Sequence, residues 1–255
     1  MQLKDFLEQK YLEYNQPSFI PADPISIPHR FTLKEDIEIA GFLTAIIAWG
    51  NRKSILASAN RLMEAMKPSP YQFIINYSPS VSQANQVKHF VHRTFNSFDL
   101  LFFFESLHNI YHQHGGLEAV FSRNINPESI NVKDTITSFR DIFFELPHLH
   151  RTEKHLSNPQ TGSAAKRINM FLRWMVRKDP YGVDFGIWNN IQPNQLCIPL
   201  DIHSGRVARR LGLLNRKQND WKAVEELTAE LKKFDPSDPV KYDFALFGTG
   251  VSEGF

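Results

Sequence analysis

The chain has 255 residues, of which 42% are apolar and 22% charged, enough to bury a sizeable core and to exclude a largely disordered protein. Its single cysteine, Cys197, excludes a disulfide framework and any four-cysteine zinc or iron–sulfur site. The N-terminal stretch is charged throughout and no apolar run of about 18 residues exists, so we expect neither a signal peptide nor a membrane span, but a cytoplasmic protein.

Helical periodicity dominates the chain, with no convincing strand pattern, internal repeat or low-complexity tract. The predicted helices, in chain order, cover residues 3–14, 32–49, 53–66, 70–77, 82–94, 98–113, 115–121, 132–146 and 163–177, then a helix that follows Asp201 and ends at Gly212, and finally 220–234 and 238–247. The second of them is apolar nearly all round between Ala40 and Trp49, so we expect it to be buried. Gly50 ends this helix, and Asn51 can cap the next one. The predicted fold class is all-α.

Positive charge is concentrated in one part of the chain. Residues 151–217 carry 12 basic and 4 acidic side chains, a net charge of +8. Residues 1–150 carry 13 basic and 15 acidic side chains, and residues 218–255 carry 4 basic and 8 acidic ones. Such clustering favours a polyanionic partner, although a solvated basic face gives the same pattern.

Within this basic segment, a glycine turn leads into a helix that bears an early lysine. Gly162 or Ser163 opens the helix, and the unsatisfied N–H groups at such a start can hold a phosphate. Lys166 lies in the first turn, where the helix dipole opposes a positive charge and favours the neutral amine that a nucleophile needs. The alternative is that Lys166 is an ordinary exposed charge near a helix end.

A long loop from Asp179 to Leu200 follows this helix. A loop of this length in a compact domain is usually functional. Aromatic side chains at its entry and within it could stack on a base that has left a duplex, namely Trp174, Tyr181, Phe185 and Trp188. The alternative is that these aromatic side chains anchor the loop to the core.

The loop closes on Asp201, which precedes a helix that carries Arg206 and Arg210. As an N-cap residue, Asp201 would accept a hydrogen bond from the backbone N–H of His203 or Ser204, and such bonds favour the ionised carboxylate. An ionised acid at a fixed position can also stabilise a developing cation, such as an oxocarbenium sugar. Capping and catalysis are therefore compatible roles. His203 is expected to be structural, because no second metal ligand has a suitable spacing.

These motifs resemble those of the helix-hairpin-helix–GPD superfamily of base-excision repair DNA glycosylases. The stretch Gly162-Ser163-Ala164-Ala165-Lys166 is similar to the family's Gly-x-Gly-x-Lys pattern, with alanine in place of the second glycine. Asp201, followed by His203 and the stretch RVARRLGL, is similar to the family's aspartate and the helix behind it. The resemblance covers most of residues 33–250. The stretch KRINMFLRWMVRKD also resembles a conserved bacterial family without an assigned function.

The resemblance implies a two-lobed, all-α glycosylase fold in a single unit over residues 1–255. A helical lobe over residues 30–150 and a hairpin lobe with the catalytic residues over 151–220 would pack together with the terminal helices 1–15 and 220–255. The connection between the hairpin lysine and the aspartate is longer than is usual in the family, so we expect an insertion that lines or covers the pocket.

The resemblance also implies an activity. The protein would remove a damaged base, an oxidised purine by preference, from duplex DNA, with or without strand cleavage by a lyase step. Lys166 would be the nucleophile and Asp201 would stabilise the cationic sugar. Asn51 would fill the gap left by the flipped base, with Arg52 beside it on the DNA, and Trp49 would join the base pocket. The other residues expected to contact DNA are Gly162, Ser163, Ala164, Ala165, Arg167, His203, Arg206 and Arg210.

We further expect a monomer that binds duplex DNA in the nucleoid, no membrane association, no metal site formed by side chains and no cofactor other than a monovalent cation at the hairpin. Two alternatives stay open. A protein on the same scaffold could bind DNA or RNA without chemistry, and its binding would depend on salt but not on the charge of Asp201. A helical protein that uses its basic segment to dock another partner would have no affinity for duplex DNA at low salt.

Overall fold

The computed structural model of the chain describes residues 2–78, 85–125, 128–129 and 131–253. Over these residues the protein is mostly helical, which confirms the predicted all-α class. Its α-helices, in chain order, are α1 (Leu3–Tyr14), α2 (Lys34–Ile47), α3 (Arg52–Ala65), α4 (Pro70–Ile75), α5 (Ser97–Gln113), α6 (Leu117–Ser122), α7 (Lys133–Phe143), α8 (Lys166–Val176), α9 (Ile202–Arg210), α10 (Trp221–Phe234) and α11 (Tyr242–Ser252). Among these described helices, none has both the length and the hydropathy that a membrane span needs.

The chain folds into two compact units. The first comprises Met1–Ile20, Ile125–Asp134 and Ser157–Phe255, and the second comprises Pro21–Asn124 and Thr135–Leu156. The two residues predicted to be catalytic, Lys166 and Asp201, therefore belong to the first unit.

In the first unit, α11 packs closely against two other helices. A Cβ atom on Gly248 would lie 2.2 Å from the ring of Tyr14, so only glycine allows α1 to approach this closely. The Tyr14 hydroxyl also donates to Glu253 Oε1 at 2.8 Å. On α11 a Cβ atom on Gly250 would lie 3.0 Å from Cβ of His203, at the start of α9. Small residues on α11 thus fix the position of the helix that follows Asp201.

In the second unit, α2 lies in an aromatic core. Every residue of this helix from Asp36 to Ile47 is buried, as its apolar sequence predicts. The ring of Phe42 lies 6.2 Å from that of Phe103 and 5.5 Å from that of Phe143, measured between centroids. Rings at these separations, tilted or offset, contribute to stability beyond the apolar area they bury.

The helix predicted over residues 82–94 is confirmed over residues 85–87 and wrong over its C-terminal half. Val91–His92 (β1) pairs with Phe95–Asn96 (β2) in a short antiparallel hairpin, with His92 opposite Phe95. Arg93 in its turn has a φ of 57°, a left-handed conformation that a helix cannot contain. Residues 82–84 of this prediction lie outside the described residues.

Candidate active site

The turn before α8 is closed by its own hydrogen bonds. The N–H of Gly162 donates to the carbonyl of Pro159 at 3.0 Å, and that of Ser163 to the carbonyl of Asn158 at 3.3 Å. The N–H of Ala165 donates to Ser163 Oγ at 3.2 Å. Three of the N–H groups predicted to hold a phosphate are therefore already bonded inside the turn, and a phosphate would have to replace these bonds.

The residue before Lys166 carries backbone strain. Ala165 has φ 45° and ψ 36°, a left-handed conformation that costs a residue with a Cβ atom roughly 1–2 kcal/mol. Its carbonyl nevertheless accepts the first hydrogen bonds of α8, from the N–H groups of Ile168 and Asn169. The Asn169 side chain donates to the carbonyl of Ala164 at 3.1 Å, which secures the same bend. This bend sets Lys166 at the first position of the helix.

The structure brings Lys166 and Asp201 together. Lys166 Nζ lies 3.4 Å from Asp201 Oδ2, across a connection of 35 positions in the sequence. The lysine side chain is 31% exposed and that of the aspartate 15% exposed. The pair is therefore partly shielded from solvent yet open to a ligand, which is the environment that a reactive amine and its partner carboxylate need.

Asp201 also caps α9, as its position before a helix predicts. Its Oδ1 accepts from the N–H of Ser204 at 2.9 Å and from the Ser204 hydroxyl at 3.1 Å. Ser204 Oγ in turn accepts from the N–H of Asp201 at 2.9 Å, which completes a capping box. One carboxylate oxygen is thus used for the cap, while the other faces Lys166. The cap and the lysine contact together hold both oxygens of the carboxylate.

The helix that begins at Lys166 continues into a buried ionic network, which we define as Arg173, Arg177, Asp179, Asp184, Asp238 and Asp243. Arg173 pairs with Asp243 at 2.5 Å through Nη1 and with Asp184 at 3.2 Å through Nε. Arg177 pairs with Asp184 at 3.2 Å. Both arginines are almost fully buried, so replacing either one would leave buried charges without compensation.

The buried ionic network also anchors the long loop and α1. Arg177 binds Asp179, at the start of the loop, and Asp238, shortly before α11. Asn15, directly after α1, donates its amide to Asp179 at 2.6 Å. The Arg177 guanidinium donates to the Tyr11 hydroxyl at 2.8 Å. Sequence segments far apart in the chain therefore meet at these six charges.

Within the buried ionic network, Asp243 most resembles a functional group, because its pKa lies near neutrality. Burial raises the pKa of this carboxyl to about 7, while the Arg173 guanidinium opposes the shift. The charges of Asp201 and Lys166 also act on Asp243, the first raising its pKa and the second lowering it. The Lys166–Asp201 pair and the buried ionic network are therefore electrostatically coupled.

The basic segment is less basic in the fold than in the sequence. Of its arginines, Arg173 and Arg177 are neutralised inside the unit, and Arg216 forms a bidentate pair with Asp220. Arg209 donates to the carbonyl of Arg216 at 2.7 Å and to the side chain of Asn219. Three aspartates of the acidic C-terminal segment, Asp220, Asp238 and Asp243, thus pair with arginines of the basic segment.

Several of the cations predicted to contact DNA remain at the surface. Arg206 and Arg210 on α9 are exposed, as is His203 at its start. Arg206 also donates to the carbonyl of Gly250 at 3.3 Å. Arg167 is partly buried, and burial lowers the pKa of its guanidinium to about 10, so it stays cationic at neutral pH.

Of the aromatic residues predicted to line a base pocket, Trp174 and Trp188 belong to the core, whereas Trp49, Tyr181 and Phe185 are half-buried. Trp174 and Trp188 are buried, and Trp188 packs edge-on against Phe171 with centroids 5.4 Å apart. Tyr181 packs against Tyr11 at 6.2 Å, and the N–H of Phe185 donates to the carbonyl of Trp174 at 2.8 Å. In this structure neither tryptophan offers a face to a base, because both belong to the core around the loop.

Three predicted site residues belong to the second unit, and one of them, Trp49, contacts the β1–β2 hairpin. Asn51 is exposed, and its Oδ1 accepts from the N–H groups of Lys53 and Ser54, so it caps α3. Arg52, the first residue of α3, is half-buried. The Arg93 guanidinium lies 4.7 Å from the ring centroid of Trp49. Trp49 is thus covered by an arginine, which the sequence did not indicate.

Sequence reasoning missed Arg173, Asp243 and Phe247. The ring of Phe247 is half-buried and lies 6.3 Å from that of His203, next to Asp201. Helical spacing offered a signal, because Asp243 and Phe247 are four positions apart and Arg173 lies seven positions after Lys166, which in both cases means one helix face. Among the described residues, no group of three or more His, Cys, Asp or Glu side chains is arranged to hold a metal ion.

Fold and site together define a mostly α-helical protein with a lysine–aspartate pair between the starts of two helices of one unit. The chain belongs to the family described as "Protein of unknown function (DUF2400)", whose sequence profile matches residues 23–252. No curated protein and no solved structure matches the chain.

Proposed function

We propose that this protein is a DNA glycosylase that uses Lys166 as its nucleophile and Asp201 as its electrostatic partner. The observation that carries the proposal is the 3.4 Å approach of Lys166 Nζ to Asp201 Oδ2 at a partly exposed position. An ion pair that is fully buried or fully solvated can have a purely structural role. A pair that is only partly exposed can also bind a substrate. The helix-hairpin-helix–GPD resemblance of the surrounding motifs supplies the reaction class.

In the proposed reaction, the neutral amine of Lys166 attacks C1′ of the damaged nucleotide. The bond from C1′ to the base breaks, and the base leaves with the electron pair and takes up a proton. The Asp201 carboxylate stabilises the positive charge that develops on the sugar, because the capping box holds it at a fixed point. The Lys166 nitrogen, now bonded to C1′, loses a proton. The bond from C1′ to the ring oxygen then breaks and that oxygen takes up a proton, which gives a protonated Schiff base from which elimination can cleave the strand.

The damaged base is proposed to be an oxidised purine and the partner to be duplex DNA. Exposed Arg206 and Arg210 supply positive charge on the helix that Asp201 caps, and the exposed His203 ring supplies a further polar group there. Contacts of this kind to phosphates position a duplex without reading its sequence. We also propose that backbone carbonyls of the turn before α8 can bind a monovalent cation.

The test is borohydride trapping on duplexes that carry 8-oxoguanine, an oxidised pyrimidine, uracil or an abasic site. The wild-type protein should form a covalent adduct, and Lys166→Gln should form none. Lys222→Gln is the matched control, because Lys222 is an exposed lysine at the start of α10 in the same unit. Trapping that survives Lys166→Gln would exclude the assigned nucleophile.

A protein without chemistry makes a different prediction. It would bind duplex DNA in a salt-dependent way and give no adduct and no base release on any of the four duplexes. The closed hydrogen bonds of the turn before α8 favour this second candidate, because they leave fewer N–H groups for a phosphate. Retained binding without adducts would therefore replace the glycosylase proposal with that of a non-catalytic DNA-binding protein.

A further inference from the structure

Two stretches of the second unit carry positive charge without any acidic residue. Neither residues 48–63 nor residues 85–98 contain an aspartate or a glutamate, and together they contain five arginines and lysines, namely Arg52, Lys53, Arg61, Lys88 and Arg93. Residues 1–150 as a whole carry slightly more acidic than basic side chains. The local excess of positive charge is therefore a property of these two stretches.

The fold joins the two stretches at the β1–β2 hairpin. Arg61 Nη2, on α3, donates to the carbonyl of Val91 in β1 at 3.3 Å. The buried ring of His92, the other residue of β1, has its Nδ1 3.0 Å from Ser58 Oγ and its Nε2 3.1 Å from the carbonyl oxygen of Trp49. These contacts attach the hairpin to α3 and to the segment that precedes α3.

Three exposed cations belong to this arrangement, and we name them the hairpin cations: Arg61, Lys88 and Arg93. Arg93 occupies the turn of the hairpin, Arg61 bonds to its first strand, and Lys88 precedes that strand by three positions. Among the described residues, none of the three forms an ion pair with a carboxylate. Surface cations whose charge is not compensated inside the protein attract a polyanion.

Arg93 is held in place although it is exposed. Its φ of 57° is a left-handed conformation, in which arginine is less stable than glycine or asparagine. The only other non-glycine residue with a positive φ among the described residues is Ala165, which directly precedes Lys166. The Arg93 guanidinium lies over Trp49, 4.7 Å from the ring centroid, and a Cβ atom on Gly50 would lie 2.8 Å from Arg93 Nη1. These contacts hold a planar fork of donors, which is the geometry that matches a phosphate.

We propose that the hairpin cations bind the phosphates of duplex DNA, with Arg93 as the principal contact. The inference rests on the proposed function, because it takes duplex DNA as the substrate, and it extends the DNA contacts to three cations that the sequence motifs did not indicate. The closely spaced phosphates of a duplex are anions that several arginines and lysines can bind at once. Such contacts hold the backbone and read no base.

The test measures the affinity of the full chain for an undamaged duplex of about 20 base pairs, by fluorescence anisotropy over roughly 50–200 mM salt. Arg93→Asn removes the charge and keeps the turn, because asparagine adopts the left-handed conformation more readily than other residues with a Cβ atom. The slope of log affinity against log salt concentration should fall by about one in Arg93→Asn and by about two in Lys88→Gln/Arg93→Asn. Lys67→Gln is the matched control and should leave the slope unchanged, since Lys67 is exposed in the same unit and pairs with Glu64.

Arg93→Lys separates the charge of this side chain from its effect on the hairpin. Lysine keeps the positive charge, so this variant should bind the duplex with the wild-type slope. It loses the planar fork of donors, so the affinity at each salt concentration should fall severalfold. A loss of slope as large as that of Arg93→Asn would overturn the inference, because it would indicate a damaged hairpin rather than a lost phosphate contact.

An unchanged slope in Arg93→Asn, or an equal change in Lys67→Gln, would also overturn the inference, as would a wild-type protein without affinity for the duplex at the lowest salt concentration. Binding to an undamaged duplex requires no chemistry, so this result does not depend on borohydride trapping. Adducts that form through Lys166, with no response of the slope to Arg93→Asn, would exclude the hairpin cations alone. A change of slope without any adduct would exclude the glycosylase and support the hairpin cations.

Discussion

At the scale of single residues, Asp201 combines two roles that different substitutions separate. Its Oδ1 caps α9 through Ser204, and its Oδ2 faces the amine of Lys166. Asparagine caps a helix about as well as aspartate, whereas alanine costs about 1 kcal/mol at an N-cap. The charge toward Lys166 is lost in both cases. Stability and reactivity should therefore respond differently to the two substitutions.

We expect Asp201→Asn to unfold in urea at nearly the wild-type free energy and Asp201→Ala to lose about 1 kcal/mol. Base release should fall in both variants by a factor on the order of 10² or more, because neither supplies a fixed negative charge. Asp220→Asn is the matched control, since Asp220 caps α10 in the same way and pairs with Arg216. If Asp201→Asn released base at the wild-type rate and only Asp201→Ala failed, the carboxylate would be a cap and nothing more.

At the scale of elements, two of the three arginines on α9 have different roles. Arg206 is exposed, whereas Arg209 donates to the carbonyl of Arg216 and to the side chain of Asn219. Asn219 in turn donates to the carbonyl of Asp201 at 2.8 Å. Arg209 therefore stabilises the connection that follows α9, and Arg206 is the better candidate for a phosphate contact.

Arg206→Gln should weaken duplex binding and reduce the slope of log affinity against log salt concentration by about one, with little effect on stability. Arg209→Gln should leave that slope unchanged and destabilise the protein by about 1–2 kcal/mol, because it removes two internal hydrogen bonds. Fluorescence anisotropy over roughly 50–200 mM salt and urea unfolding measure the two effects. An equal change of slope in both variants would show that Arg206 and Arg209 do not differ in their contact with phosphate.

The sequence predicted most helices of the described residues well, because apolar periodicity and caps are local signals. Helix α10 was expected over 220–234 and extends from Trp221 to Phe234. The hairpin at Val91–Asn96 was missed, since its strands are two residues each and too short to show alternation. The loop before Asp201 was recognised, and both a base-stacking and a core-anchoring role were left open for its aromatic side chains. Trp188 of this loop is buried in the core, whereas Tyr181 and Phe185 are half-buried, a difference that depends on contacts that periodicity cannot reveal.

At the scale of the whole molecule, the net charge of each sequence segment predicted the charge of the protein surface only in part. The segment 151–217 has a net charge of +8, yet its buried arginines are paired with aspartates that include Asp238 and Asp243 from the acidic segment that follows. Which cations remain for a partner depends on tertiary pairing, so the sequence alone overstated the basic surface. The approach of Lys166 to Asp201 is likewise a tertiary property, and only the family resemblance pointed to it.

The stability of the molecule should depend on pH through Asp243. The pKa of this carboxyl rises from 3.8 to about 7 on folding, chiefly because it is buried. A raised carboxyl pKa means that the folded state binds the proton more tightly than the unfolded state. The stabilisation that comes from this tighter proton binding is complete below a pH of about 4 and is lost as the pH rises through about 7. The free energy of unfolding falls by about 1.4 kcal/mol for each pH unit between the two values.

Asp243→Asn removes this dependence and leaves the other titrating groups in place. The free energy of unfolding of the wild type should therefore fall relative to that of Asp243→Asn between a pH of about 4 and about 7, and the difference should level off above. Urea unfolding of both proteins at several pH values across this range measures it. Parallel curves would mean that Arg173 holds Asp243 ionised throughout, and the carboxylate would then be a fixed charge of the network rather than a group that exchanges its proton near neutrality.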